Sequence, residues 1–87
     1  MRIEIKKFGE ILTSRSAGRE ACLVIKAYLK PEKESEKIEL DFSGVKVLGP
    51  SWAEEVVDSL EQEYGKRVVC LPSNNPSVIE SLKILAE

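Results

Sequence analysis

The 87-residue sequence contains no histidine. Without an imidazole there is no Ser–His or Cys–His nucleophile pair, and the commonest zinc ligand is missing. Cysteine is scarce: Cys22 and Cys70 stand alone, without metal-ligand spacing and inside apolar patterns. They read as small buried hydrophobes of a reducing compartment. Cys70 ends a strand before a helix, where some cysteine enzymes place a nucleophile, but Leu71–Pro76 holds no arginine or lysine to stabilise a thiolate. No apolar run approaches the roughly 20 residues of a membrane span. Charges interleave from Met1 onward, leaving no hydrophobic signal region, so a cytoplasmic chain is expected. Neither a G-x-G-x-x-G nor a Walker A loop occurs, and no cofactor is expected. An excess of positive charge is also lacking. Thirteen Lys and Arg face 15 Asp and Glu, a net charge of −2, which argues against duplex nucleic acid as partner.

What is present describes one soluble α/β domain over residues 1–87: 43% of residues are apolar and 32% charged. Met1–Lys6 and Lys37–Phe42 alternate apolar and charged residues with period two, predicting half-buried strands. Arg67–Leu71 is nearly continuously apolar, which predicts a strand that is central or covered on both sides. Between them, Ala17, Ala21, Val24, Ile25 and Tyr28 recur at helical spacing over about Arg15–Leu29. Ala53, Val56, Val57, Leu60 and Tyr64 mark a second helix stopped by Gly65. Asn75-Pro76 opens a third, with Val78, Ile79, Leu82 and Leu85 as its core face. Phe8–Leu12 is ambiguous, Pro31–Glu36 reads as a solvated loop, and Ser43–Pro50 as a connection. Alternation of strand and helix predicts consecutive parallel βα units in a two-layer open sheet. The charges opposite the apolar strand residues (Arg2, Glu4, Lys6, Lys37, Glu39 and Asp41) predict helices mainly on one face. The other face is then wet or available for a homodimer.

Two segments carry chemical interest. Ser51-Trp52-Ala53-Glu54 fits a capping box, with Ser51 at the N-cap and Glu54 answering it. Ser51 is then a plain cap, a modified hydroxyl or an interface position. Trp52 either seals the helix or anchors a partner. Glu55, Asp58, Glu61 and Glu63 form an acidic helix surface. In Thr13–Arg19, Arg15 and Arg19 share one face of the first helical turns. With Ser14 and Ser16 nearby they solvate a capped helix start, or hold an anion or an acidic partner. Charge is uneven along the chain. Residues 1–30 hold seven basic and three acidic residues (+4) and residues 31–87 six and twelve (−6), enough to orient an encounter with a charged partner.

Ser14-Arg15, Asp41-Phe42-Ser43-Gly44-Val45 and Gly49-Pro50-Ser51-Trp52-Ala53-Glu54-Glu55 together resemble the STAS-like domains of unknown function. Those are related to the STAS domains of bacterial anti-sigma factor antagonists. The resemblance spans nearly all 87 residues and implies a superhelix of βα units acting as a non-catalytic regulatory interaction domain. It implies a protein partner, a sensor-kinase-like ATPase of the anti-sigma type. It also implies phosphorylation of Ser51, with Gly49, Pro50, Ser51, Trp52 and Glu55 at the partner surface. Pro50 and Trp52 flank Ser51 where antagonists carry a different element, and Gly49 replaces an acidic residue. The alternative is a small-ligand or nucleotide sensor using Thr13–Arg19 and the strand C-termini.

Overall fold

The computed structural model describes residues 1–29 and 36–87, so the expected loop before Glu36 lies outside the described residues. Strand β1 (Arg2–Glu4) passes into a 3-10 turn at Ile5–Phe8 and then β2 (Ile11–Leu12). Helix α1 (Arg15–Tyr28) follows, then β3 (Ile38–Asp41) and β4 (Val47–Leu48). The second helix is continuous from Pro50 to Tyr64 in three stretches: α2 (Pro50–Ala53), a π-helical turn at Glu54–Asp58, and α3 (Ser59–Tyr64). A 3-10 turn at Gly65–Arg67, strand β5 (Val68–Cys70) and helix α4 (Pro76–Ala86) complete the chain.

All strand pairing among the described residues is parallel. One sheet has the order β1–β3–β5, and a second, two-residue pair joins β2 to β4. The fold is thus the expected open α/β arrangement, each crossover adding a strand on the same side. Ile3, Ile38 and Leu40 point into one core with Ile25, Trp52, Val56 and Leu60. Arg2, Glu4 and Glu39 occupy the opposite face. Asp41 is on that face yet only 6% exposed, because Arg2 reaches diagonally across the sheet to cover it. The Arg2 guanidinium donates to Asp41 Oδ2, with Nε at 3.0 Å, and Ser43 N–H donates to Oδ1 at 2.9 Å. These donors hold the Asp41 carboxyl at about 2, the Ser43 backbone N–H being the largest cause and Arg2 the next.

Four expectations need correction. The strand from Met1 ends at Glu4, since the 3-10 turn also buries Ile5. The β5 strand is an edge, not the centre; all three of its residues are half-buried, so its apolar run reflects partial cover on both faces. In α1 the core face is Gly18, Ala21, Cys22, Ile25 and the cap residue Leu29, while Val24 and Tyr28 are 51% and 54% exposed. In α4, Ile79 faces outward, and its place is taken by Ser81.

Ser81 is buried for a reason. Leu48 turns its N–H and C=O away from β2, and α4 answers both. Ser77 Oγ accepts from Leu48 N at 2.9 Å and donates to Leu48 O at 3.2 Å, and Ser81 Oγ donates to the same carbonyl. Asn75 caps α4 as expected, accepting from Ser77 N at 2.8 Å, and its Nδ2 donates to Val45 O at 2.9 Å. Two serines at i and i+4 therefore replace the neighbouring strand that the edge of β4 lacks.

Replacing Ser77 and Ser81 together by alanine leaves both Leu48 groups unpaired at a covered edge, and is expected to cost about 1–3 kcal/mol in urea unfolding. For Asp41 the folded-state value of about 2 lies below the ordinary 3.8. Its stabilisation is thus present above pH 4 and lost as pH falls toward 2. Unfolding midpoints measured across that window should decline less steeply in Asp41→Asn than in the unchanged chain.

Candidate functional site

The β2–β4 pair sets the starts of two helices side by side. Leu12 lies opposite Leu48, and the Gly49 N–H donates to Leu12 O at 2.8 Å. Each strand then runs directly into a helix. Ser14 caps α1, its Oγ accepting from Ala17 N at 3.1 Å. Gly49 caps α2 through backbone alone, with φ −96° and ψ 150°. A Cβ on Gly49 would stand 3.1 Å from Thr13 Cα, so the two caps are in near contact. One turn further in, a Cβ on Gly18 would lie 2.9 Å from the Trp52 carbonyl oxygen and 3.2 Å from Glu55 Cβ. Glycine lets the two helices cross at backbone distance.

The two candidate segments thus meet. Arg15 Nη1 donates to Glu54 Oε1 at 2.9 Å and Glu55 Oε1 at 3.1 Å, and Arg19 Nη2 lies 3.5 Å from the same Glu55 oxygen. The π-helical turn presents both adjacent glutamates to one guanidinium. Arg15 and Arg19 do share a face, but their counter-charge comes from the chain itself, so they are not the open anion cradle that the ligand-sensing alternative requires. Ser16 is exposed, but as the next residue after Arg15 it does not share the arginines' face.

The capping box is not formed. Pro50 takes the first helical position, for which its fixed φ suits it, and Gly49 becomes the N-cap. Ser51 is the second helical residue; it is half-exposed and makes no cap bond. Glu54 consequently turns to Arg15 instead of answering Ser51. Trp52 is 1% exposed and stacks obliquely on Phe8, with ring centroids 6.5 Å apart. It belongs to the core and offers a partner no anchor. Gly49, Pro50, Ser51 and Glu55 stay accessible to different degrees around it. The sequence signal for the helix crossing was Gly18 itself, an otherwise costly residue inside a helix.

The family model described as a STAS-like domain of unknown function (DUF4325) matches residues 21–77. The chain belongs to this family. The match takes in Asp41–Val45 and Gly49–Glu55 but not Ser14-Arg15, and so covers less of the chain than the expected resemblance. No curated protein and no solved structure matches the chain significantly.

In this STAS-like domain the other sequence candidates are set apart from the paired helix starts. The Cys70 thiol is half-buried and pushed up to about 11, first by burial and then by Glu61, so it stays protonated near neutral pH. A cleft of about 580 Å³ lies at the C-terminal ends of β3 and β5, lined by uncharged residues including Ser43, Gly44, Ser73 and Asn74. No group of His, Cys, Asp and Glu among the described residues could hold a metal ion. Nor is any helix among them long and apolar enough to cross a membrane.

Because the Gly18 contact is to backbone, Gly18→Ala must push the helices apart. The expected cost is about 1–3 kcal/mol, read from chemical unfolding.

Proposed function

We propose that the domain is a non-catalytic regulatory module that docks a partner protein on the paired starts of α1 and the second helix, and that phosphorylation of Ser51 switches this docking. One observation carries the reading: Ser51, half-exposed in the first turn of the second helix, stands one turn before the two glutamates that Arg15 and Arg19 pair. The partner type, a sensor-kinase-like ATPase of the anti-sigma type, is carried over from the resemblance to the STAS domains of anti-sigma factor antagonists. The polar sheet face suits self-association less, because Arg2 is engaged by Asp41 and Lys7 by Glu4.

The chemistry of the switch follows from charge. A phosphate adds about two negative charges, one helical turn before Glu54 and Glu55. The first-turn N–H groups and the positive end of the helix dipole favour an anion there. The two glutamates oppose it. Arg15 and Arg19 are the cations beside them, and their transfer from carboxylate to phosphate would redraw the docking surface without unfolding the helix. Guanidinium bonds to carboxylate and to phosphate are both charge-assisted and often bidentate, so the larger charge of the phosphate is what favours the exchange.

Incubation with an anti-sigma-type kinase and Mg-ATP, followed by peptide mass analysis, should place one phosphate on Ser51. Ser51→Ala should then take up none and keep its partner bound when ATP is added. Stable complex formation with no phosphate on Ser51 would leave docking without a switch, and phosphate on another residue would move the switch elsewhere.

A further inference from the structure

The second helix, Pro50–Tyr64, carries five carboxylates (Glu54, Glu55, Asp58, Glu61, Glu63) and no cation. Three are matched by α1: Glu54 and Glu55 through Arg15 and Arg19, and Glu63 by Lys26 Nζ at 3.5 Å. Asp58 and Glu61, one turn apart, have no cationic partner among the described residues. Both stand at the rim of a groove of about 280 Å³ between the second helix and α4. Its walls are apolar, formed by Val57, Cys70, Leu82 and Leu85. Leu82 and Leu85 lie against the core but remain half-buried, so the groove is an apolar surface left partly open. The rim charges act within it. Glu61 helps to raise the Cys70 thiol, and Asp58 is itself raised by burial and by Glu54.

We infer that this groove is a second docking site, distinct from the paired helix starts and independent of Ser51, for a basic amphipathic segment of a partner protein. Charge complementarity selects this occupant. Covering Asp58 and Glu61 with a neutral or acidic surface strips them of water and supplies nothing in return. A segment that seats an apolar side chain on Leu82 and Leu85, and brings Lys or Arg to the rim, both fills the groove and pairs the carboxylates. Lysine and arginine suit this edge because their aliphatic stems lie along apolar surface while the charge stays at the rim.

The test uses the whole chain, isotope-labelled for amide NMR, and a designed helical peptide of leucine and lysine. At about 18 residues it is long enough to hold a helix. Its control has glutamate at every lysine position. The lysine peptide should give saturable shifts centred on Asp58, Glu61, Cys70, Leu82 and Leu85, weakening as salt rises, and the glutamate peptide should give none. Asp58→Asn combined with Glu61→Gln, each nearly the size of the residue it replaces, should keep the amide spectrum folded and weaken the lysine peptide about tenfold or more. Equal binding of the two peptides overturns the proposal. So do shifts centred elsewhere, an unchanged affinity in the double variant, and no saturation below about 1 mM. Self-association of the chain through the groove, in place of peptide binding, overturns it too.

Discussion

Two residues of parallel pairing, Ile11–Leu12 against Val47–Leu48, would not persist in water by themselves, since even isolated hairpins are marginal. Here the pair holds because β4 is satisfied on both edges. Gly49 N–H and the Lys46 and Val47 N–H groups bond to β2 and the residue before it, and Leu48 is bonded to Ser77 and Ser81 of α4. A strand of two residues thereby acts as the joint among α1, the second helix and α4. The candidate surface depends on that joint. Were it to loosen, Gly18 would no longer meet the Trp52 backbone, and Arg15 would lose the glutamates that the crossing brings to it.

What the sequence made legible were features whose physics is local. Period-two alternation marked β1 and β3, Asn75-Pro76 opened α4, and Gly65, at φ +62°, closed the second helix. These depend on residues within a few positions of one another. The errors arose where local rules compete or distant contacts decide. At the second helix, Ser51 and Glu54 satisfy a capping pattern, but Pro50 has a stronger claim to the first helical position, and the whole register moves by two. In α1, hydrophobicity favours Val24 and Tyr28, whereas the core selects Gly18 and Cys22 because a close helix crossing needs small residues. The β2–β4 pair was invisible, as two residues carry no period. Ser81 is absent from the expected core face of α4, and its role exists only because Leu48, 33 positions away, has a bare edge.

The carboxylates of the second helix show the same dependence on tertiary context. As sequence they form one acidic, solvated surface. In the fold they divide by neighbour: Glu54, Glu55 and Glu63 face a helix that supplies Arg15, Arg19 and Lys26, and Asp58 and Glu61 face a strand and a helix that supply only apolar walls. Exposed ion pairs contribute little to stability, typically 0–1 kcal/mol each, so the value of the first group lies in orientation. They hold α1 and the second helix in one rotational setting.

That setting bears on why a serine at the second helical position suits a switch better than one at the cap. An N-cap hydroxyl is committed to a backbone N–H, a bond worth about 1 kcal/mol of helix stability when the cap is truncated to alanine. Ser51 has no such commitment, because Gly49 and Pro50 begin the helix by backbone geometry alone. A charge placed on it acts on the ion pairs one turn away and leaves the helix start intact. Under the proposed switch, the departure from the capping pattern leaves the hydroxyl free of a capping bond, and the arginines of α1 are the cations that would respond.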